Sequence, residues 1–397
     1  MNLLQNILVI DFSQFLSGPS AALRLADLGA EVIKVERPQT GDICRQLYVS
    51  DVMIEGDSTI FHAINRNKKS YTADVKNPAD LEKIKQLLTK ADVVMHNFRP
   101  GVMERIGLDY TSVRKLNTSV VYAEISGYGS EGPWENLPGQ DLLLQAASGL
   151  TWLSNNKDDA PTPMGVAVVD IMAGTHLAQG ILAALYKRGI SGEGALIQVS
   201  MLESALDFQF EVLTCYYNDG RQSPQRSAVN NAHAYVAAPY GIYTTKDNYI
   251  AMAMTDIVRL GELLQCVGLK KFSESSDWFT RRDEIKTILA EHLITDTASH
   301  WLGILEKADV WCAPVLNYSQ LVNEEGYRIL QMELNVKTGN GLIVKTTRCP
   351  VRVDGKILAS EKGAPLLGEH NELIDERFGL TKEFSPAENN IMGQCKG

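Results

Sequence analysis

The sequence has few cysteines, no dense block of basic residues and no paired metal-binding motif. Its 6 cysteines are scattered over 397 residues, without a CxxC pair or a histidine cluster, so neither a disulfide framework nor a zinc site is expected. The formal net charge is −10, and no run of Lys and Arg provides the basic face that nucleic-acid binding requires. We therefore expect reduced thiols, no bound metal and no nucleic-acid partner.

Long hydrophobic runs are also absent. The apolar stretch near the N-terminus is short, lacks a basic leader and is interrupted by Asp11, so it is typical of a buried strand rather than of a signal peptide. No segment approaches the ~18 apolar residues that span a bilayer. These features predict a cytoplasmic protein that does not enter a membrane.

Common nucleotide-binding and hydrolase motifs are missing as well. The sequence contains no GxxxxGK[ST] P-loop and no GxSxG nucleophile motif. Gly127, Gly129 and Gly132 fit the GxGxxG pattern, but Pro133 follows them and no helical pattern begins at the third glycine. Dinucleotide-binding proteins need a helix at that point to hold the pyrophosphate. We therefore expect neither a nicotinamide nor a flavin cofactor.

The first ~200 residues alternate short apolar runs with helical patterns. Strands are predicted at 7–12, 31–35, 92–96, 119–125 and 196–200, and helices at 19–28, 78–90, 140–150, 171–188 and 201–217. This alternation favours an α/β fold with a parallel sheet that is covered by helices on both faces. A polar, turn-rich segment at 218–231 predicts a linker to a smaller α+β region at about 235–320.

Asp170 is the most informative carboxylate of the sequence. It follows the small and apolar residues of GVAVVD and lies at the head of a long apolar helical pattern. Burial penalises an ionised carboxylate, whereas a helix N-terminus keeps it charged, as a nucleophile must be. The alternative is a structural role, because aspartate often caps a helix by accepting its first backbone N–H groups.

Basic residues recur where predicted strands end, at Lys34, Arg37, Lys76, Arg99 and Arg105. The carboxyl ends of parallel strands meet at one edge of a sheet and line its ligand crevice. Cations collected at that edge suit a ligand with several phosphates. The alternative is that each of these residues belongs to a solvated surface.

Segments in order over nearly the whole chain carry a family resemblance. They are DFSQFLSGP, LADLGAEVIKVERP, GDICR, NRNKKSYTADVK, HNFRPGVMERIG, SGYGSEGP, PGQD, GVAVVDIMAG, GEGALIQVSMLESAL and GAPLLGEHNE. Together they resemble the class III CoA-transferases, the family of formyl-CoA transferase and carnitine CoA-transferase. The resemblance implies a Rossmann-like large domain formed by residues 1–220 and 331–397. It also implies a smaller α+β domain at 221–330 and two subunits interlocked as a homodimer.

The resemblance also implies a reaction. Asp170 attacks an acyl-CoA, and CoA then moves to a small carboxylic acid through an aspartyl-acyl anhydride and an aspartyl-CoA thioester. Coenzyme A and acyl-CoA are substrates in this scheme, and no tightly bound cofactor is expected. Water has to be kept away from the intermediates, because it would hydrolyse them.

Several site residues are carried over from the resemblance. Arg37 and Lys76 match positions that contact CoA phosphates, while Asn97, Phe98 and Arg105 match positions around the nucleotide and pantetheine, with Arg99 in the same loop. The sequence departs from formyl-CoA transferases at Leu16, Pro138 and Gln140, which favours partner acids other than oxalate or formate. Gln140 and His233 are candidate substrate contacts.

Two other functions remain open. The α-methylacyl-CoA racemases of the same superfamily resemble this chain, but they use a histidine and an aspartate as opposed acid and base. The histidine position is Gln140 here, and a glutamine has no useful pKa for proton transfer. A CoA-binding protein without catalysis is the other alternative, and the presence of Asp170 argues against it.

Overall fold

The structure is a computed structural model that describes residues 3–47 and 52–380. The chain forms two compact units. The first comprises the residues up to Leu144, Ala167–Ala205 and the residues from Gln331 onward, whereas the second comprises Gln145–Val166 and Leu206–Leu330. The first unit is therefore built from both ends of the chain. The domain limits at 220 and 330 stay a prediction, since a compact unit is not by itself an independently folding domain.

Strands and helices follow one another along the whole described chain. The strands are β1 (Leu8–Asp11), β2 (Glu31–Glu36), β3 (Met53–Ile54), β4 (Asp57–Ser58), β5 (Lys69–Thr72), β6 (Val93–His96), β7 (Val121–Ser126), β8 (Ala195–Ser200), β9 (Gly241–Thr244), β10 (Tyr249–Met252), β11 (Cys312–Pro314), β12 (Glu333–Lys337), β13 (Ile343–Thr347), β14 (Arg352–Val353) and β15 (Lys356–Ile357). The α-helices are α1 (Ser17–Asp27), α2 (Thr59–Asn65), α3 (Pro78–Leu88), α4 (Val102–Arg105), α5 (Tyr110–Leu116), α6 (Asp141–Ala147), α7 (Val168–Ser191), α8 (Met201–Phe208), α9 (Phe210–Asn218), α10 (Ile257–Leu263), α11 (Asp277–Thr280), α12 (Arg282–Leu293), α13 (Ala298–Leu305), α14 (Tyr318–Leu321), α15 (Glu325–Leu330) and α16 (Asn371–Phe378).

The first unit is organised around a six-stranded parallel sheet with the strand order β5-β2-β1-β6-β7-β8. Its central strands carry pairs of buried apolar residues, such as Val9 with Ile10 and Val93 with Val94. Strands of this composition bury both faces of a sheet, because neither face offers polar side chains to water. The predicted α/β fold with a parallel, Rossmann-like sheet is confirmed.

The order of the strands reverses between β1 and β6. From that point β2 and β5 extend the sheet on one side, while β7 and β8 extend it on the other. The loops after β1 and β6 therefore diverge, and such a switch point leaves a crevice at the carboxyl edge of the sheet. The loop after β1 begins at Phe12 and the loop after β6 begins at Asn97, so a ligand of this sheet is expected between them.

Helix α7 has 24 residues and packs against α1, β7 and β8. By length and composition alone it could cross a membrane, since an 18-residue window has a mean hydropathy of 1.5, with 44% of that window buried. The expectation that no segment is apolar enough is therefore wrong for this helix. The same composition is typical of a core helix that covers a parallel sheet.

The second unit contains an antiparallel sheet in the order β11-β10-β9. Its helices α10, α12 and α13 enclose a core around Tyr243, Leu260, Leu289 and Trp301, all of them buried. An α+β region was expected here, and the predicted strand beginning at Tyr249 is present as β10.

One predicted helix is divided in two. The expected helix at 201–217 forms α8 and α9, because Gln209 leaves helical geometry with φ −104° and ψ 15°. Its backbone N–H donates to the carbonyl of Leu206 rather than continuing the helical pattern.

Candidate active site

Asp170 is the third residue of α7 and is half-buried. It is not the N-cap, a position that Ala167 occupies without a capping side chain. The cap is supplied from another element, because Oδ1 of Asp141 accepts hydrogen bonds from the backbone N–H of Val169 (2.7 Å) and of Asp170 (3.2 Å). The capping interpretation of Asp170 is therefore wrong, and Asp141 performs that task.

The environment of Asp170 raises the pKa of its carboxyl group to about 6. Burial is the largest cause, and the charge of Asp141 adds to it. Hydrogen bonds from the side chain and the backbone N–H of Ser17 act in the opposite direction and lower the pKa. The carboxylate is thus ionised at neutral pH, but it is more basic than an ordinary aspartate.

Ser17 reaches Asp170 because α1 and α7 cross at close range. Ser17 is the first residue of α1, and its backbone N–H is one of those that a helix leaves without an internal partner. Gly174 lies one turn beyond Asp170, and a Cβ at that position would stand 2.6 Å from the carbonyl oxygen of Ser17. Only glycine allows this approach, so Gly174 brings the N-terminus of α1 to the carboxylate.

The segment before α6 is held by a close contact between two glycines. A Cβ on Gly127 would lie 2.7 Å from the Cα of Gly139, so the two backbones touch directly. This contact gives Gly127 of the GxGxxG pattern a packing role and fixes the chain just before Asp141. Gln140 is exposed, and its carbonyl accepts the backbone N–H of Leu144 at 3.1 Å.

A pocket of about 640 Å³ lies at the carboxyl edge of the sheet, beside the switch point. Four predicted ligand-binding residues line it together, namely Arg37, Lys76, Phe98 and Arg99. The remaining lining includes apolar residues such as Val35 and Val75. A cationic rim over an apolar floor suits a phosphorylated nucleotide, because the phosphates and the ring system need different surroundings.

The cations at this edge are available for a ligand. Arg37, Lys76, Arg99 and Arg105 are exposed, and none of them forms an ion pair with any residue in the described parts of the chain. Arg105 is not among the residues that line the 640 Å³ pocket and lies beside Gly101 in the following helical turn. The structure thus groups three of the four cations around the pocket.

Asn97 connects the pocket with Asp170. Its side-chain amide bonds both backbone groups of Gln14, accepting from N–H at 2.8 Å and donating to C=O at 2.7 Å. The same Nδ2 lies 3.2 Å from Oγ of Ser17. Because Gln14 lines the pocket and Ser17 donates to Asp170, a continuous chain of contacts leads from the pocket to the carboxylate.

Lys34 is not a ligand-facing cation, so the interpretation of that residue as part of the crevice is wrong. It is fully buried, pairs with Asp42 at 2.8 Å and donates to the carbonyl of Ser13 at 2.7 Å. In the same network Lys68 pairs with Asp11 at 3.1 Å. These buried pairs fix the loop after β1, which carries Gln14 and leads to Ser17.

His233 and Leu16 both have partners within their own units. Nδ1 of His233 accepts the backbone N–H of Tyr235 at 3.1 Å, and Nε2 lies 3.5 Å from Glu211. Leu16 packs against a buried cluster that includes Phe61. A role for His233 or Gln140 in substrate binding stays a prediction.

No group of three or more His, Cys, Asp or Glu residues that could hold a metal ion occurs within residues 3–47 and 52–380. Sequence reasoning missed Ser17 and Asp141 as parts of the site. Their signals were the SGP sequence at a helix start and the PGQD segment, but neither identifies its partner.

Comparisons with known proteins identify the family of the chain. The model of CoA-transferase family III matches residues 4–371. An acetyl-CoA:oxalate CoA-transferase from Acetobacter aceti is 32% identical over 94% of this chain and 95% of its own length. A succinyl-CoA:glutarate CoA-transferase from Mus musculus is 29% identical over 94% of this chain and 86% of its own length. The solved structure of a CAIB/BAIF family protein from Brucella suis has a TM-score of 0.81 and 28% identity, covering 94% of this chain and 99% of that one. The chain belongs to CoA-transferase family III and is a CoA-transferase that acts on acyl-CoA and carboxylic acid substrates.

Proposed function

We propose that the chain moves CoA from an acyl-CoA to a free carboxylic acid through covalent intermediates on Asp170. One observation carries the proposal: an ionised, half-buried carboxylate with a pKa raised to about 6 is connected through Ser17 and Asn97 to a cation-rimmed pocket. Burial makes the carboxylate a better nucleophile than an ordinary aspartate, while Ser17 keeps it charged.

The first half-reaction loads CoA onto the protein. An oxygen of Asp170 forms a bond to the thioester carbon, the carbon–sulfur bond breaks, and CoA leaves as a thiolate. The thiolate then attacks the side-chain carbonyl carbon of Asp170, and the bond from that carbon to the bridging oxygen breaks. The first acid departs as a carboxylate, and the aspartyl-CoA thioester keeps the acyl activation energy.

The second half-reaction runs the same steps backwards with a new acid. The incoming carboxylate attacks the aspartyl thioester carbon and expels the CoA thiolate, which gives a second anhydride. The thiolate attacks the new acyl carbon, and the bridging oxygen stays on Asp170. The new acyl-CoA leaves, and the carboxylate is restored with one oxygen that came from the incoming acid.

Binding of CoA is assigned to the carboxyl edge of the sheet. Arg37, Lys76 and Arg99 take the phosphates, since they are exposed, unpaired in the described chain and gathered around one pocket. Phe98 offers an aromatic face to the nucleotide or pantetheine. Asn97 acts through the backbone of Gln14, and Arg105 supplies a further cation near the pocket.

Short dicarboxylates are our candidates for the acceptor acid. The names of two relatives state that they use oxalate and glutarate. Leu16 cannot donate a hydrogen bond to an acyl group, and it packs against the buried apolar cluster that includes Phe61. We therefore place glutarate and succinate ahead of oxalate, with Gln140 and His233 as further candidate contacts.

The assembly and location of the protein are part of the same proposal. We propose an interlocked homodimer, supported by large apolar side chains such as Phe210 and Trp311, which are 68% and 66% exposed. The five described cysteines are all free, which fits a cytoplasmic protein. We further propose that α7 stays in the core of the first unit and does not enter a membrane.

An oxygen-transfer experiment tests the mechanism. The protein is incubated with an acyl-CoA and an acceptor acid whose carboxylate carries heavy oxygen, and the peptide with Asp170 is examined by mass spectrometry. The proposal expects heavy oxygen in Asp170 only when acyl-CoA is present, and trapping of the intermediate by hydroxylamine. Racemisation predicts solvent deuterium at the α-carbon and an unlabelled Asp170, while a non-catalytic binder predicts no deuterium and an unlabelled Asp170. Turnover with an unlabelled Asp170 refutes the proposed route.

A further inference from the structure

The second unit contains a groove of about 700 Å³ that the proposed reaction does not use. Arg226, Arg282 and Lys157 line it, and Tyr235 and Phe279 add aromatic surface. Both arginines are only 7% exposed, whereas Lys157 is exposed. Buried guanidinium groups in a groove of this size need an explanation, because removing such a charge from water is costly.

Neither buried arginine pairs with a carboxylate in the described parts of the chain. Nη1 of Arg226 donates to the carbonyl of Ser154 at 2.6 Å, and Nη2 donates to those of Lys157 at 3.0 Å and Asp159 at 2.8 Å. Arg282 donates to the carbonyls of Ala234 and Gln225. Carbonyl dipoles orient both groups, and the charge of Asp283 only partly offsets the burial of Arg282.

Among the residues that the structure describes, only one of the three acidic residues that line the groove is paired with cations. Asp219 accepts from the backbone N–H of Gln222 and from the hydroxyl of Tyr235, both at 3.1 Å. Oδ1 of Asp283 accepts the backbone N–H of Ala228 at 2.9 Å. Glu284 pairs with Arg281 and Lys271 at 2.7 and 2.6 Å. With Glu284 paired, Lys157, Arg226 and Arg282 stand against the carboxylates of Asp219 and Asp283, so the cations of the groove exceed its remaining acids by one charge.

Lys286 is a third buried cation, and it lies close enough to Arg282 to feel its charge. Nζ of Lys286 donates to Oγ of Ser227 and to the carbonyl of Asn230, both at 3.1 Å. Burial and the charge of Arg282 lower the pKa of Lys286 to about 8. Burial is the larger cause, and the charge of Arg282 adds to it, so an anion in the groove would favour the protonated form of Lys286.

We propose that this groove is a second ligand site that binds a small oxyanion, the carboxylate or phosphate group of a small molecule, between Arg226, Arg282 and Lys157. Of the five N–H donors of a guanidinium, Arg226 uses three and Arg282 uses two in the backbone hydrogen bonds above, so N–H groups of both residues remain for the oxygens of either group. Lys157, which is exposed, adds a flexible point charge. The site shares no residue with the pocket assigned to CoA, so its occupancy would be an input separate from the exchange reaction.

Calorimetric titration of the full-length protein tests the site with two probes, inorganic phosphate and succinate, at an ionic strength fixed with sodium chloride. Lys157→Gln decides the outcome, because its side chain is exposed and its loss leaves the loops intact. We expect saturable binding that Lys157→Gln weakens about threefold or more and that Arg282→Gln weakens about tenfold. Lys246→Gln, an exposed lysine of the same unit outside the groove, should bind as the parent does.

Lys76→Gln separates this site from the CoA pocket. The proposed groove keeps its affinity in that variant, whereas an anion bound at the CoA pocket loses it. Saturation by phosphate alone, by succinate alone or by both supports the site. The pattern also shows whether the site binds a phosphate group, a carboxylate group or either. Heats no larger than those of sodium chloride, or binding that Lys157→Gln leaves unchanged, overturn the proposal whether or not the protein exchanges CoA.

Discussion

Replacement of Asp141 by asparagine separates the two effects that this residue has on Asp170. Its Oδ1 accepts the backbone N–H groups of Val169 and Asp170, and its charge raises the pKa of the Asp170 carboxyl group. Asparagine keeps an acceptor oxygen of the same geometry but carries no charge. Asp141→Asn should therefore preserve the start of α7 while making Asp170 a stronger acid.

The expected fall in the pKa of Asp170 follows from the order of the two causes that raise it. The pKa of Asp170 is raised from 3.8 to about 6, with burial as the larger cause and Asp141 as the second. Removing the second cause leaves the first, so we expect the pKa to fall by about one pH unit or less. On the acid side a shift of that size raises the ionised fraction up to about fivefold near pH 5, and it changes little near pH 7.5.

The assay is the pH dependence of CoA exchange at saturating acyl-CoA. Exchange by the parent protein should fall as the pH drops through about 6, because protonation removes the nucleophile. The acid limb of Asp141→Asn should lie at lower pH. Asp141→Ala is the matched control, since it loses the charge and the cap together and should also unfold more easily by about 1 kcal/mol. An acid limb that Asp141→Asn leaves in place would refute this account of the electrostatics.

Three further changes probe the remaining parts of the site. Asp170→Asn should abolish exchange and leave CoA binding intact; its melting temperature should stay the same or rise near neutral pH, because a buried charge that the fold disfavours is removed. Lys76→Ala should weaken CoA binding several-fold in calorimetry and reduce the dependence of binding on salt. Gly174→Ala should destabilise the fold by about 1–3 kcal/mol in chemical unfolding, whereas Gly189→Ala in the same helix, where a Cβ would meet nothing within 4 Å, should be neutral or stabilising.

The parallel sheet could be predicted because most of its strands are continuous apolar runs. Buried parallel strands show both faces to the core, so strands such as β1 and β6 are visible without any partner. β5 was missed for the opposite reason. Its sequence KSYT is mixed, and its extended form comes from pairing with β2, where Lys34 meets Ser70 and Val35 meets Tyr71. A strand that depends on its neighbour leaves little trace in its own residues.

The site could be predicted only where a single residue type was informative. Asp170 was recognised because a carboxylate is unusual after small and apolar residues, but its partner Asp141 lies 29 residues away, and no local pattern links them. Lys34 and Arg37 look alike in the sequence, although one is buried against Asp42 and the other lines the pocket. Which cation meets a ligand is decided by tertiary pairing, which sequence spacing does not contain.

The chemistry of Asp170 depends on a balance that two helices impose together. Burial and the charge of Asp141 favour protonation, whereas the hydrogen bonds from Ser17 favour the charged form. A carboxylate stabilised fully by such donors would be a weak nucleophile, and one without them would be protonated near neutral pH. Gly174 sets the distance between the helices. It therefore sets how strongly the hydrogen bonds from Ser17 lower the pKa of Asp170. The reactivity of one side chain is thus a property of the crossing of α1 and α7, which explains why no segment of the sequence reveals it alone.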